Sequence, residues 1–307
     1  MKRTKPFGYY PGCSGMGTSV EYDRSTRAVA AVLGIQLQDI EDWSCCGSTP
    51  AHTIDHGLST ALTARNFVQA EKQGLMDVLT PCPSCLKNLK SALHHMQSPV
   101  IGPKATKLLG GDTVNEEHTA KSVLQIIHEE VDRDILVNKV RRPLAGIKVV
   151  PYYGCLMSRP KPLMQFGDEE YPMAMDDLLA AAGAEVIPFP LKTDCCGASM
   201  GIPLNEAVTR LSGRIIDLAV SLGADVIAAA CPLCQMNLDL RQSQVEKAAK
   251  KKYNIPVMYY TQLLGLAFNL PEKDLGLDKL VVSPQPVLDK LAAARDAAKK
   301  AKAEDAA

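Results

Sequence analysis

The sequence has few aromatic residues and no excess of either charge. Aromatic residues make up 5% of the 307 positions, and 34 Lys and Arg residues are balanced by 34 Asp and Glu residues. Proteins that bind nucleic acid or an anionic membrane through their overall field carry an excess of positive charge. The charge balance therefore predicts that nucleic acid is not a partner.

Long apolar runs are also missing. No stretch approaches the roughly 20 apolar residues of a membrane-spanning helix, so the sequence predicts a chain that does not span the membrane. Lys2, Arg3 and Lys5 are not followed by the apolar segment of a secretory signal. Together these features predict a cytoplasmic protein, in a compartment where thiols stay reduced.

Cysteine, in contrast, occurs in a regular and repeated arrangement. Each half contains a single cysteine, then an adjacent pair followed by glycine, then a Cys-Pro-x-Cys motif. The first gap is 31 or 39 residues long, and the second is 35 or 34. The first set is Cys13, Cys45, Cys46, Cys82 and Cys85, and the second set is Cys155, Cys195, Cys196, Cys231 and Cys234. The two sets use all ten cysteines, which indicates an internal duplication.

Other residues repeat with the cysteines. The segment 9–13 (YYPGC) matches 152–155 (YYGC), and Asn88 follows the first Cys-Pro-x-Cys motif as Asn237 follows the second. Alternating strand and helix patterns predict the α/β class, with a small, mainly parallel sheet in each half. The cysteines are expected in loops at the C-terminal ends of the strands, where open sheets usually bind ligands.

The duplication also predicts the domain organisation. We expect one domain over residues 1–142, a similar one over 143–285, and an Ala/Lys-rich helix or tail over 286–307. Residues 98–140 match the repeat poorly, and their pattern predicts an inserted loop followed by one helix.

Several chemistries compete for five cysteines in a half. Disulfides are rare in a reducing compartment, and a thioredoxin-like site would explain the Cys-Pro-x-Cys motif alone. A zinc site closes with four ligands and would leave one thiol unused in each half. An iron–sulfur cluster can use all five, because thiolates are its usual ligands, so it is the interpretation that we favour.

The complete arrangement resembles the CCG-domain signature found in the B subunit of heterodisulfide reductase. The resemblance covers roughly residues 7–270, and details such as DWSCCGST, TDCCGASMG and CPLCQMNLDLRQ are similar to bacterial members, in particular the B subunit of sulfur-oxidising heterodisulfide-reductase-like complexes. It implies two noncubane [4Fe-4S] clusters, each held by the five cysteines of one half. It also implies that both clusters face a cavity between the domains.

The resemblance further implies a function and partners. The chain would be the catalytic iron–sulfur subunit of a heterodisulfide-reductase-like complex, which cleaves or forms a disulfide or oxidises a sulfane-bearing thiol. Its partners would be a small ferredoxin-like subunit and a larger subunit that carries flavin and iron–sulfur clusters. The substrate would be a small thiol or disulfide, or a lipoyl carrier protein. The alternative is an electron-transfer subunit of a lactate, glycolate or succinate oxidoreductase, since these also use CCG domains.

Four further side chains are weaker candidates for catalysis. His52 and His56 follow the first cysteine pair and are four residues apart, as expected for a proton shuttle on one helical face. Arg159 and Lys161 follow Cys155 closely and are candidates for binding an anionic part of the substrate. The alternative for all four is an ordinary solvated surface position.

Overall fold

A computed structural model describes residues 5–48, 51–201 and 203–304 as a chain of alternating strands and helices. The elements of the first half are β1 (Phe7–Tyr9), α1 (Gly12–Met16), α2 (Val20–Leu33), β2 (Leu37–Asp39), α3 (Ala51–Ile54), α4 (His56–Lys72), β3 (Asp77–Thr80), α5 (Pro83–Met96), α6 (Ile101–Leu108), β4 (Thr119–Ser122), α7 (Val123–Glu130) and α8 (Arg133–Lys139).

The second half repeats much of this order. Its elements are β5 (Lys148–Tyr152), α9 (Lys161–Met164), α10 (Ala174–Ala181), β6 (Glu185–Val186), α11 (Asn205–Ser221), β7 (Val226–Ala229), α12 (Pro232–Leu240), α13 (Gln242–Ala249), β8 (Val257–Tyr259), α14 (Tyr260–Ala267), α15 (Glu272–Leu275) and α16 (Gln285–Glu304). Short 3-10 helices cover Ala198–Met200 and Leu277–Lys279.

Each half forms one four-stranded sheet in which every pairing is parallel. The strand orders are β2-β1-β3-β4 and β6-β5-β7-β8, so the two sheets have the same topology. The strand β7 is wholly apolar and buried, as expected for a parallel strand covered by helices on both faces. The predicted α/β class with two similar domains is confirmed.

The prediction for residues 98–140 was wrong. This segment contains three helices and the strand β4, which pairs with β3 in the position that β8 takes beside β7. The sequence of β4, TAKS, carries one apolar residue, so its period did not indicate a buried strand. The single predicted helix is two, α7 and α8, with a break at Val131 and Asp132.

The two halves meet through packed side chains. The helix α2 of the first half packs on α14 of the second, and the ring of Tyr22 stacks on Tyr259 with 4.0 Å between centroids. The Tyr22 hydroxyl donates to the carbonyl of Ala230, the residue before Cys231, at 3.2 Å. One hydrophobic cluster includes residues from both halves. The interface is therefore continuous with the core.

The C-terminal helix is attached to the second half at its first turns. Val287 of α16 is buried, and the ammonium group of Lys290 lies 2.7 Å from the Asp225 carboxylate. The domain limits of 142 and 285 remain predictions. None of the helices in the described ranges combines the length and apolarity needed to cross a bilayer.

Replacing Tyr22 by Ala should lower the free energy of unfolding by about 3–5 kcal/mol, because it removes a fully buried ring between the halves. Urea unfolding of the anaerobic protein measures the change. Val281→Ala is the control, because Val281 is 61% exposed. Equal stability of the two variants would contradict a shared core.

Candidate functional site

The cysteines lie at the C-terminal edge of each sheet, as predicted. Cys13 follows β1 and Cys155 follows β5, while the two adjacent pairs lie in loops after the edge strands β2 and β6. Cys82 and Cys231 are the N-cap residues of α5 and α12, which begin with a proline. All ten cysteines are free thiols.

Thiols of the second half contact one another in two groups. The sulfur atoms of Cys196 and Cys234 are 3.6 Å apart, and the Cys234 thiol also bonds to that of Cys231. The Cys155 thiol bonds to Cys195 and lowers the pKa of Cys195 to about 6. The backbone N–H of Gly197 donates to the Cys195 sulfur at 3.3 Å. The glycine after the pair thus supplies a donor to thiolate sulfur.

The first half has a comparable chain of contacts. Cys45, Cys46, Cys85 and Cys82 are linked in this order by thiol–thiol hydrogen bonds. Bonds from Cys45 and then Cys85 lower the pKa of Cys46 to about 3 despite its burial. Cys13 is exposed at the rim of this group.

A buried tyrosine lies among the thiols of each half. The Tyr10 hydroxyl donates to the carbonyl of Ser44 at 2.8 Å, and the Tyr152 hydroxyl donates to Asp194 at 2.6 Å. Ser44 and Asp194 each precede a cysteine pair. Burial and then the neighbouring cysteines raise the pKa of both tyrosines. Tyr10 and Tyr152 are therefore the equivalent residues.

This equivalence refines the match of YYPGC with YYGC. The pairing register places Tyr9 opposite Leu79 and Pro151 opposite Ala228, and both partners lie three residues before a Cys-Pro-x-Cys motif. Tyr9 thus corresponds to Pro151 rather than to a tyrosine. Tyr153 has a separate role, since its hydroxyl donates to the Asp176 carboxylate at 2.8 Å.

Two glycines let the backbone approach cysteine sulfur closely. Gly12 and Gly154 precede the first cysteine of each half and have φ values of +68° and +76°. An ideal Cβ at Gly12 would lie 2.9 Å from the Cys85 sulfur, and one at Gly154 would lie 2.7 Å from the Cys234 sulfur. A side chain at either position would have to displace that sulfur.

Polar side chains fix the backbone of each cysteine pair from behind. The Asn237 amide donates to the carbonyl of Cys196 at 2.7 Å, and the Ser212 hydroxyl donates to the same carbonyl at 3.0 Å. In the first half, Asn88 and Thr63 donate to the Cys46 carbonyl at 2.9 and 2.6 Å. The repeat of Asn88 and Asn237 was visible in the sequence, whereas their role required the fold.

The two predicted histidines lie near the first cysteine pair. His52 lies in α3 and His56 begins α4, so the expectation of one shared helical face was wrong, because Asp55 caps a new helix between them. Both histidines are exposed and line a cavity of about 100 Å³. Thr63 and Asn88, which hold Cys46, line the same cavity. The structure therefore brings both histidines to the polar side of this pair.

The two predicted basic residues lie in different surroundings. The Arg159 guanidinium donates to Thr193 at 2.8 Å and to Glu170 at 2.5 Å, so it joins two loops beside the second cysteine set. Lys161 begins α9 and is exposed. Arg159 is therefore engaged by protein groups, which was not expected from its place in the sequence.

The donor chemistry of the site fits an iron–sulfur cluster. Each set of free thiols lies at the edge of its own sheet with a glycine N–H donor, and thiolates with such donors are the usual ligands of these clusters. Across residues 5–48, 51–201 and 203–304, no three His, Cys, Asp or Glu side chains are gathered as ligands of one metal ion.

The fold and the site define a class of two-domain α/β proteins with a cysteine-rich edge on each sheet. The CCG family, described as a cysteine-rich domain, matches residues 7–90 and 149–239. The chain belongs to this family and contains two copies of the domain, as predicted.

Relatives match nearly the whole chain. It is 34% identical over 280 residues to the 8-methylmenaquinol:fumarate reductase membrane anchor subunit of Wolinella succinogenes, covering 91% of this chain and 97% of the relative. It is 28% identical over 288 residues to the B subunit of the ferredoxin/F420H2-dependent CoB-CoM heterodisulfide reductase of Methanosarcina acetivorans, covering 92% and 95%. The predicted similarity to the B subunit of heterodisulfide reductase is confirmed.

A solved structure shares the fold. The crystal structure of a hypothetical protein from Helicobacter pylori superposes with a TM-score of 0.72 at 14% identity. The match covers 92% of this chain and 52% of that one. At this identity the likeness concerns the fold alone.

Replacing Asn237 by Ala should lower the free energy of unfolding by about 1–3 kcal/mol, because it removes a buried donor from the Cys196 carbonyl. Asn88→Ala should cost less, since Asn88 is half-buried. Urea unfolding measures both, with the exposed Asn138→Ala as control. If Asn237→Ala lowers the free energy of unfolding no more than Asn138→Ala does, the hydrogen bond from Asn237 to the Cys196 carbonyl does not stabilise the fold.

Proposed function

We propose that this protein is the catalytic iron–sulfur subunit of a heterodisulfide-reductase-like complex. The reaction is the cleavage or formation of a disulfide, or the oxidation of a sulfane-bearing thiol. The observation that carries the proposal is the duplicated set of five free thiols at equivalent edges of two sheets. Relatives named as the B subunit of heterodisulfide reductase, which match most of the chain, support it.

In this proposal each half holds one noncubane [4Fe-4S] cluster. The ligands are Cys13, Cys45, Cys46, Cys82 and Cys85 in the first half, and Cys155, Cys195, Cys196, Cys231 and Cys234 in the second. When bound, such clusters supply one-electron redox steps and iron with Lewis acidity. Because Gly12 and Gly154 have no side chain, the backbone leaves room for the sulfur atoms of Cys85 and Cys234.

The protein residues divide each site into a closed and an open side. Cys82, Cys85, Cys231 and Cys234 are buried, whereas Cys13 and Cys195 are exposed. The buried thiols exclude water from the inner side, and a sulfur substrate approaches from the exposed rim. The hydrogen bonds from Asn88 to the Cys46 carbonyl and from Asn237 to the Cys196 carbonyl hold each adjacent pair in one orientation during turnover.

Cleavage of a disulfide also consumes two protons along with two electrons. His52 and His56 are exposed to solvent and line the cavity that Thr63 and Asn88 also line, and we assign them the delivery of protons to the thiolates that leave. In the direction of disulfide formation, the same histidines accept these protons.

Electrons must come from a partner. All ten cysteines belong to the two sets, so none is left for a third cluster that would collect electrons. From the resemblance to the B subunit of heterodisulfide reductase, we assign a small ferredoxin-like subunit as the direct donor or acceptor, with a flavin- and iron–sulfur-bearing subunit beyond it. The substrate is a small thiol or disulfide, or a lipoyl carrier protein.

A second function is favoured by one specific relative. The fumarate reductase membrane anchor subunit of Wolinella succinogenes is 34% identical and is covered over 97% of its length. In this alternative the chain passes electrons between a quinol and a dicarboxylate site on other subunits. No sulfur compound then reacts at its cysteines.

Thiol binding separates the two functions. Oxidised protein, purified anaerobically with its partners, should develop a new paramagnetic signal when dihydrolipoamide or mercaptopropionate is added. EPR spectroscopy measures this signal. An unchanged spectrum, together with reoxidation of the reduced protein by fumarate, would reject the first function and support the second.

Replacing Gly154 by Ala should reduce iron and acid-labile sulfide per chain by about half, because the new Cβ displaces the Cys234 sulfur and only the second cluster is affected. Gly223→Ala is the matched control. Gly223 also has a positive φ, +73°, but nothing lies within 4 Å of its ideal Cβ. Equal iron contents in the Gly154→Ala and Gly223→Ala variants would contradict the role of Gly154 in leaving room for the Cys234 sulfur.

A further inference from the structure

We propose that the cavity behind the first cysteine pair is a binding site for a small anionic group, namely a carboxylate, sulfonate or phosphate. The cavity has a volume of about 100 Å³ and lies between α3, α4 and α5. Its basic lining residues are His52, His56, Lys87 and His95. Among the described residues that line it, none is acidic.

The basic groups of this cavity act on one another. His95 is half-buried, and its Nδ1 lies 3.3 Å from the Thr60 hydroxyl. Burial lowers the pKa of His95, and His94, Lys87 and His56 lower it further. The lowered pKa means that a positive charge on His95 is unfavourable here without a counter-charge, whereas an anion would form charge-assisted hydrogen bonds with Lys87 and with a protonated His95.

Uncharged donors complete the lining. Ser59, Thr60, Ser91 and Asn88, whose side chains carry hydroxyl or amide groups, also line the cavity. Hydroxyls and amides beside a lysine are the usual surroundings of bound oxyanions. The lining thus combines charge with neutral donors.

The size of the cavity limits the ligand. A water molecule takes about 30 Å³ in the liquid, so the volume corresponds to about three waters. This space accommodates the head group of a ligand and excludes a whole coenzyme. His52 and His56 are exposed, so the cavity opens to solvent on their side.

The cavity is one side chain away from the first cysteine set. Asn88 and Thr63 line the cavity and donate to the Cys46 carbonyl, and the Asn88 amide lies 3.8 Å from the Cys46 sulfur. A thiol or disulfide with an anionic end would be anchored beside these cysteines. This assignment of the anion to a substrate rests on the proposed function, whereas the anion site itself does not.

The second half does not repeat the basic cluster. Counted from the Cys-Pro-x-Cys motifs, Lys87 corresponds to Met236 and His95 to Gln244. The position of Ala92 is taken by Arg241, which donates to Asn205 and to the carbonyl of Gly201, both at 2.8 Å. The fold therefore forms without these basic residues, so packing alone does not explain them.

Anion binding to the full chain, purified anaerobically with its cofactors, tests the site. Sulfate and phosphate should each bind saturably in isothermal titration calorimetry. The double variant Lys87→Met, His95→Gln carries the residues that the second half has at these positions. It should bind each anion at least about tenfold more weakly than the wild type, since it removes a charge-assisted contact. Lys107→Met, an exposed position in α6 outside the cavity, should bind like the wild type.

Two results would overturn the proposal. One is the absence of saturable binding to the wild type, and the other is equal affinity of the wild type and the double variant. Iron content equal to that of the wild type shows that a variant is intact. If the double variant fails this criterion, Lys87→Met alone is measured in the same way.

Competition identifies the source of the anion. If the site holds the end of a substrate, 3,3′-dithiodipropionate should displace sulfate at a concentration at least about tenfold lower than propionate, which has the same carboxylate without the disulfide. If it holds a free anion, the two carboxylates should displace sulfate about equally well. None of these readings requires turnover, so a failed anion site and a failed disulfide reaction are distinguishable.

Discussion

The close approach of a glycine backbone to a cysteine sulfur is the constraint on which each site depends. Gly12 lies against the sulfur of Cys85, and Gly154 lies against that of Cys234. In the first half this contact joins the loop after β1 to α5, the helix that follows the neighbouring strand β3. In the second half it joins the loop after β5 to α12, which follows β7. The first cysteine comes directly after this glycine. The adjacent pair follows the edge strand, and the carbonyl of its second cysteine accepts a hydrogen bond from Asn88 or Asn237.

The two copies carry equivalent cysteines at equivalent places in the fold, but they differ in the contacts between the thiols and in the groups around them. Tyr10 and Tyr152 occupy equivalent positions, and both sheets have one strand order. Beyond this common frame, the first half has a basic cavity behind Cys46, whereas the second half has Arg241, bonded to Asn205 and Gly201, at the position of Ala92. In the proposed reaction, this divergence would let the two halves receive unlike sulfur groups. The stacked rings of Tyr22 and Tyr259 keep the two frames in one folded unit.

Most of the sheet could be predicted because the buried strands are apolar or end at a cysteine motif. The strand β7, VIAA, is one example, and the proline at the start of α12 is a helix signal that sequence shows directly. The strand β4 could not be predicted, since TAKS gains its place from pairing with β3 rather than from its own pattern. The roles of Asn237, His95 and Tyr22 depend on neighbours distant in sequence. They became visible only once the helices were packed.

The central claim is that each half gathers its thiols for one iron–sulfur cluster. The most direct measurement is the content of iron, acid-labile sulfide and zinc in the full chain after anaerobic purification. The account predicts about eight irons and about eight sulfides per chain, with zinc absent. About two zinc ions per chain without labile sulfide would contradict it and would make the cysteine edges structural zinc sites.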